Sequence, residues 1–334
     1  MTNLARYVNT VWRLLFGTLW NGRSKIPHSI RNFGKGNSIS DVKLVKCSAC
    51  GRSFGNCRRA TGFSRRKAFD DLGAPRDSKD RMRNLKLILS YDGSDFAGWQ
   101  VQPDVITVQG TLASAIGRVT GEKVLPQGSG RTDAGVHALA QVVTFVTESS
   151  VPTANFVKAL NDVLPASVRV LEIEEAAADF HARHSARAKT YRYRIYRAAI
   201  CPPFLARYVW HYPYPLEEQA MVFAAGLVEG EHDFTSFAAV DPERRQEGSQ
   251  GSVPSNVRSI FSSTWERQGD EFVYTVRGTG FLHHMVRNLV GTFILVGKGT
   301  LRGDDVTRIL EARNRSAAGA TAPASGLYLM NVEY

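Results

Sequence analysis

The chain has 334 residues, of which 43% are hydrophobic, and it carries a formal net charge of +11 at pH 7. This size and composition suit a folded protein with a large core, and they exclude a fibrous or wholly disordered one. Apolar runs such as residues 293–296 are far shorter than the roughly 18–20 residues that cross a bilayer, so no membrane span is predicted. The four cysteines are too few for a disulfide framework in a chain this long, which favours a reducing compartment, the cytoplasm.

The positive charge is concentrated at the N-terminal end. Residues 1–80 contain 16 Lys and Arg against 5 Asp and Glu, so from totals of 42 and 31 the rest of the chain holds 26 of each and is formally neutral. This part has many glycines and no sustained apolar period, so residues 1–82 are predicted to be a basic, disordered extension. Met82 is a candidate for the true initiator, and import into an organelle through the extension is left open.

Three of the four cysteines, Cys47, Cys50 and Cys57, lie within this extension. Their spacing resembles half of a zinc site, but the second cysteine pair is incomplete and the nearest upstream histidine, His28, is distant. No metal site is therefore predicted there.

Hydrophobic periodicity predicts a mixture of strands and helices after residue 82. The stretch 84–91 alternates as a strand and ends at the turn signal Asp92-Gly93, and Val108–Ile116 has helical spacing with Thr107 as its N-cap. Further strands are expected at 140–146, 168–174, 189–197, 257–266, 271–278 and 327–333, with helices at 153–164, 216–229, 282–296 and 303–313 and a surface loop at 241–255. This order predicts an α+β fold with two similar βαββαβ-like halves, residues 83–186 and 187–334.

A glycine-rich loop precedes the strand at 140–146. Residues 127–138 read QGSGRTDAGVHA and place Arg131, Asp133 and His137 among three glycines. The glycines let the main chain approach a ligand closely, while the adjoining strand fixes the direction of Asp133. A phosphate-cradling GxGxxG motif is excluded because Asp133 occupies its last glycine position and the strand-loop-helix order is missing. An Asp that only shapes a turn is the structural alternative.

Five motifs, in order along the chain, resemble those of the TruA-type tRNA pseudouridine synthases. The loop resembles that family's GRTDxGVHA signature, and residues 91–100, YDGSDFAGWQ, resemble its first strand and turn. Residues 180–183 with 189–193, residues 280–288 and residues 322–329 resemble its middle, later and final motifs. The resemblance covers residues 84–334. It implies the pseudouridine synthase fold, in which two ferredoxin-like halves share a mostly antiparallel sheet with a central cleft.

The resemblance also implies a chemistry that needs no cofactor and no metal. The N-glycosidic bond of a uridine in tRNA is broken, the uracil turns, and it is rejoined through C5, with Asp133 as the nucleophile toward either the sugar or the base. A partly buried carboxylate ion needs a cation nearby, which Arg131 or Arg287 can supply. At about 4 Å and an effective dielectric near 20, such a pair is worth roughly 4 kcal/mol before desolvation. The resemblance favours Arg287 as the partner and leaves Arg131 to contact RNA or shape the loop.

Tyr191 is expected to stack on the target base. A base inside a stem-loop must be extruded before it can react, and an aromatic ring returns about 1–3 kcal/mol by stacking. Because Tyr191 alternates with Tyr193 and Ile195 on one strand face, burial in the core is the structural alternative.

Five basic residues in and before this strand are suited to a phosphate-binding track: Arg183, Arg187, Lys189, Arg192 and Arg194. A solvent-exposed strand face would have the same pattern. Four histidines have no ligand spacing to one another, which favours structural or RNA-contacting roles over metal binding: His137, His232, His283 and His284.

Together these features predict an isomerase that converts uridine to pseudouridine in tRNA. By resemblance, its targets are positions 38–40 of the anticodon arm, and it acts as a homodimer whose two subunits build one tRNA-binding surface. The alternative is a catalytically silent tRNA-binding protein or chaperone of the same fold, since ferredoxin-like halves commonly bind RNA. Asp133 favours the enzyme, because a carboxylate in the cleft would only repel RNA in a binding protein.

Overall fold

One continuous sheet organises the residues described by a computed structural model, 82–240 and 255–334. Its strands are β1 (Arg83–Tyr91), β2 (Gln127–Gly128), β3 (His137–Thr147), β4 (Val168–Ala176), β5 (Ala188–Tyr196), β6 (Trp210–His211), β7 (Gly230–Asp233), β8 (Val257–Gln268), β9 (Glu271–Gly278) and β10 (Leu327–Glu333). The sheet has ten strands in the order β4-β1-β3-β10-β5-β9-β8-β7, with β2 beside β3 and β6 beside β5. Within these residues the pairings are antiparallel, except for β10 with β3 and β6 with β5.

Four of the five α-helices in the described residues pack in pairs. The five are α1 (Val108–Thr120), α2 (Thr153–Val163), α3 (Glu218–Gly226), α4 (Met285–Gly297) and α5 (Asp305–Ala312), with 3₁₀ turns at Thr235–Phe237, Arg315–Ala317 and Ala324–Gly326. Helix α1 contacts α2, which packs on β4, and α3 contacts α4 and β8. Among the described residues, no helix has the length and apolar character needed to cross a membrane.

The second half has the strand order of a ferredoxin-like fold. Its four strands β5, β8, β9 and β10 are arranged as β10-β5-β9-β8, with α3 after the first and α4 after the third. The first half repeats this order with β1, β3 and β4, but its second strand is reduced to the two residues of β2. The predicted α+β class, with two ferredoxin-like halves sharing a mostly antiparallel sheet, is confirmed. The boundary at residues 186 and 187 stays a prediction.

Strand β10 closes the space that the short β2 leaves open. Along the same edge of β3, β2 pairs with Val143 and Thr144, and β10 pairs with His137 and Ala138. On its other side β10 pairs with β5. The end of the chain therefore fuses the two halves, and the loop between β2 and β3 lies next to the strand that joins them.

The core consists of the buried residues of the strands, which alternate with more exposed ones, and of the buried residues of the helices. Along β1, Leu85, Leu87, Leu89 and Tyr91 are buried, while the residues between them are partly exposed. Helix α4 is buried on nearly every side, which its apolar sequence requires.

Several element boundaries differ from the sequence-based expectation. Helix α1 begins as expected, with the Thr107 side chain accepting a hydrogen bond from the Gly110 amide. The helix expected at 282–296 begins only at Met285, because His284 adopts a left-handed conformation with φ of 59°. Helix α5 ends early for the same reason, since Arg313 has φ of 46°. The predictions for residues 1–81, including the cysteine cluster, and for loop residues 241–254 lie outside the described residues.

Gly291 of α4 provides a test of the packing around this helix. A Cβ at this position would stand 1.7 Å from the backbone oxygen of Ala320, which cannot rotate away as a side chain can. Overpacking should therefore outweigh the gain in helix propensity. We expect Gly291→Ala to lower the free energy of unfolding by about 1–3 kcal/mol in chemical denaturation.

The matched control is Gly226→Ala in α3, where a Cβ would meet nothing within 4 Å. This substitution should leave stability unchanged or raise it slightly. Equal destabilisation by the two variants would contradict the close approach at Gly291.

Candidate active site

The loop that carries Asp133 is held at its start by a buried glutamine. Gln141 of β3 has no exposed surface; its Nε2 donates to the Gly130 oxygen at 2.6 Å, and its Oε1 accepts from Ser129 Oγ at 2.5 Å. The Ser129 amide also donates to the Val142 oxygen at 2.8 Å. These bonds satisfy buried polar groups and fix the path of the chain as it leaves β2.

The residue before Asp133 is fixed from the other side. The Thr132 oxygen accepts a hydrogen bond from the Trp99 amide at 3.0 Å, and Thr132 Oγ1 lies 2.8 Å from Tyr91 Oη. Gly98 makes this close approach feasible, because it has φ of 94° and a Cβ there would stand 2.8 Å from the Thr132 oxygen. Asp133 is thus presented by a loop with little freedom on either side.

Asp133 forms an ion pair with Arg287, from the first turn of α4. Arg287 Nη1 lies 2.7 Å from Asp133 Oδ2, and Arg287 Nε donates to the Ala322 oxygen at 2.7 Å. The two side chains are only 15% and 17% exposed, so water screens the charge-assisted contact little. The structure thereby brings together one predicted site residue from each half.

Two histidines converge on the same carboxylate, which the sequence spacing did not predict. His284 Nε2 lies 3.4 Å from Oδ2, and His283 Nε2 lies 3.8 Å from Oδ1. Burial lowers the pKa of His284, against the opposing effect of Asp133, so its imidazole is neutral at pH 7. The three potential ligand atoms lie within 4.8 Å of one another. A metal ion would have to compete with the guanidinium of Arg287, whose positive charge is already on Oδ2.

A cavity of about 370 Å³ opens in front of Asp133, within the size range of small-molecule sites. Tyr191 lines it but is only 7% exposed, and its ring meets Phe281 edge-on at 4.9 Å between centroids. The residue therefore belongs both to the cavity wall and to the core. Burial, reinforced by the charge of Asp133, raises the pKa of the Tyr191 phenol, which stays protonated and can donate a hydrogen bond.

The expected basic track is divided. Of its members, Arg183 lines the cavity and is exposed, as does the loop residue Arg131, which was expected to contact RNA or shape the loop. Arg194 instead forms an ion pair with Glu271 at 2.5 Å, and this guanidinium also donates to Tyr328 Oη at 3.3 Å. Arg194 is thus part of a structural ion pair and not of a phosphate-binding track.

Lys189, which the sequence placed in the basic track, lines the cavity. Its Nζ donates to the Ser129 oxygen at 2.6 Å. Burial, together with the charges of Arg183 and Arg258, lowers the pKa of Lys189 to about 8. Its position two residues before Tyr191 on β5 could have indicated that it faces the cavity, because residues two apart lie on the same face of a strand.

Comparison with known proteins identifies relatives along most of the described residues. The model of a family described as tRNA pseudouridine synthase matches residues 87–185 and 224–334. A "tRNA pseudouridine synthase A" of Solibacter usitatus is 51% identical over 253 residues, which are 76% of this chain and 100% of that protein. Proteins of the same name from Moorella thermoacetica and Brevibacillus brevis are 46% and 44% identical, over 75% and 76% of this chain and 99% and 100% of their own length.

Among solved structures, a Cbf5-Nop10-Gar1 complex aligns with 80% of this chain and 55% of its own, at 14% identity and a TM-score of 0.32. That likeness is too distant to add to the assignment.

The contact between Asp133 and Arg287 should appear as a coupling in protein stability. Arg287→Met leaves a mostly buried carboxylate without its cation, and Asp133→Asn removes the anion from the guanidinium. In a denaturant double-mutant cycle, we expect the double variant to lose about 1–3 kcal/mol less than the sum of the single variants.

The matched control is Arg277 with Glu333, which has the same 2.7 Å distance but is 40% and 37% exposed. This pair should couple weakly or not at all, because water screens it. Additive effects of the Asp133 and Arg287 substitutions would contradict a direct interaction.

Proposed function

Because this chain belongs to the tRNA pseudouridine synthase family and is accordingly an isomerase, we propose that it converts uridine to pseudouridine at positions 38–40 of the tRNA anticodon arm. The observation that carries this proposal is the ion pair of Asp133 and Arg287 at a cavity large enough for a nucleobase. The site thus offers a fixed carboxylate to a base that enters from the RNA.

Asp133 is the proposed nucleophile. Arg287 binds Oδ2, so Oδ1 is the oxygen that is left to attack, at either the sugar carbon C1′ or the uracil ring. On either path the bond between C1′ and N1 breaks, a bond between C1′ and C5 forms, C5 loses a proton and N1 gains one. The product is an isomer of the substrate, and the carboxylate is released unchanged.

Three further side chains support binding of the extruded base. The ring of Tyr191 faces the cavity and is proposed to stack on the uracil, held in place by its edge contact with Phe281. The exposed Arg131, two residues before Asp133, is proposed to contact the RNA. Each lies within the cavity wall, so the base would be bounded by aromatic, cationic and carboxylate groups.

A homodimer working in the cytoplasm completes the proposal. The long connection between β6 and the preceding strand β5 exposes the large apolar residues Ile200 and Phe204, at 82% and 84%. They are the two most exposed of the large apolar side chains in the described residues, and we place the dimer contact there. A second copy of the chain that covers them would extend the tRNA-binding surface.

Replacement of the proposed nucleophile should separate chemistry from binding. We expect Asp133→Asn to bind an unmodified tRNA transcript as well as the wild type does, but to convert its anticodon-arm uridines at least about 10³-fold more slowly. Pseudouridine should be measured position by position, with RNA affinity measured on the same samples. The exposed Asp179→Asn is the control for loss of a carboxylate and should convert normally.

Two results would contradict this function. Conversion by Asp133→Asn at the wild-type rate would remove the residue from the chemistry. Binding without conversion by both proteins would identify a silent tRNA-binding protein of the same fold.

The dimer can be tested by sedimentation. The wild type should have twice the mass of one chain, and Phe204→Glu should shift it toward the mass of one chain by placing a charge in the apolar contact. Leu171→Glu puts the same charge on another exposed apolar residue, 57% exposed on β4, and should remain dimeric. A wild type with the mass of one chain would disprove the dimer.

A further inference from the structure

The amine of Lys189 lies at the point where the Asp133 loop meets Tyr191. Lys189 and Tyr191 project from the same face of β5 and both line the cavity. A Cβ built on Gly130 would lie 3.2 Å from Lys189 Nζ and 3.9 Å from Tyr191 Oη. The ammonium, the phenol and the start of the catalytic loop therefore converge on one side of the cavity.

The proposed reaction creates a negative charge that the residues already assigned do not neutralise. When the bond between C1′ and N1 breaks, its electron pair stays on the uracil and is delocalised over N1 and the carbonyl oxygens. If Asp133 attacks the ring instead, the electron pair that it donates is delocalised onto the carbonyl oxygens in the same way. Arg287 cannot easily serve this charge, because its guanidinium binds Asp133 and the Ala322 oxygen.

We propose that Lys189 is a catalytic residue whose ammonium donates a hydrogen bond to a carbonyl oxygen of the uracil and stabilises the charge that develops there. The inference rests on the proposed pseudouridine synthase function. An ammonium has three donors, and the Ser129 oxygen accepts one of them while orienting the group. The proton stays on Nζ throughout, so Lys189 forms and breaks no covalent bond. Fixed donors aimed at a developing oxyanion are among the largest contributors to enzymatic rates.

The ionisation of Lys189 gives this role a kinetic signature. Burial and the nearby Arg183 and Arg258 lower its pKa to about 8, while Asp133 is the acidic group in the cavity wall. The charged form is present below this pH and is lost as the pH rises through it. His283, His284, Arg131 and the phenol of Tyr191 also line the cavity. Burial lowers the pKa of His284 and raises that of Tyr191, so neither group changes charge near pH 8.

The test measures single-turnover pseudouridine formation between pH 6 and 10, with full-length protein in excess over a tRNA transcript. The wild-type rate should fall above about pH 8 as the ammonium is lost. Lys189→Met should lower the rate roughly 100-fold at pH 7 and remove the alkaline decline, with tRNA affinity and melting temperature recorded in parallel. Lys189→Arg keeps the charge, so it should retain much more of the rate and stay flat to pH 10.

Arg183→Gln is the matched control for the electrostatics. Arg183 is an exposed cavity residue whose charge disfavours the ammonium, so its removal should raise the pKa of Lys189. The alkaline decline should then move to higher pH while Lys189 itself is unchanged.

Two outcomes would overturn the inference alone, given a wild type that forms pseudouridine. One is a Lys189→Met rate within about threefold of the wild type. The other is a slow but folded Lys189→Met combined with a flat wild-type profile that Arg183→Gln does not move, which would limit Lys189 to anchoring Ser129. A wild type that forms no pseudouridine would instead overturn the proposed function, and this inference with it.

Discussion

The ion pair between Asp133 and Arg287 is the interaction on which the site depends. Its partners are 154 positions apart and come from different halves of the fold, a loop of the first and a helix of the second. The pair forms only because β10 joins the halves through β3 and β5, which brings the start of α4 over the loop. Neither half alone would contain the site. The continuous sheet is therefore a functional requirement as well as the framework of the fold.

Beneath this pair, the loop is held by buried polar groups where an apolar core would be more usual. Gln141 and Ser129 are completely buried, and Thr132 is nearly so. Such groups cost free energy unless they are hydrogen-bonded, and each of them is. Satisfied networks of this kind specify one arrangement of the chain, because any shift leaves a donor or acceptor without a partner. The loop thus gains a defined position for Asp133 at little cost in stability.

The sequence predicted the structural features that depend on local periodicity, but it did not predict those that depend on contacts between distant residues. The alternation of β1 and the Thr107 cap were readable because they depend on neighbouring residues. The two-residue β2 and the insertion of β10 beside it were not, since strand pairing across the chain leaves no local pattern. In the site, Asp133 and Arg287 were found through their motifs. The convergence of His283 and His284 depends on the left-handed turn at His284, which the apolar spacing of the following helix concealed.

The charges around the cavity bear on the choice between an enzyme and a binding protein. Arg131 and Arg183 at its exposed rim would attract the RNA backbone, and a carboxylate placed among them would weaken that attraction. A binding protein would improve by losing Asp133, together with the guanidinium that its charge requires. Here the carboxylate is present, one of its oxygens is paired with Arg287, and its loop is fixed by a buried network. This arrangement makes physical sense if the other oxygen has chemistry to perform. The neutral His284 beside it fits the same requirement, because a protonated imidazole would add a second positive charge beside the proposed nucleophile.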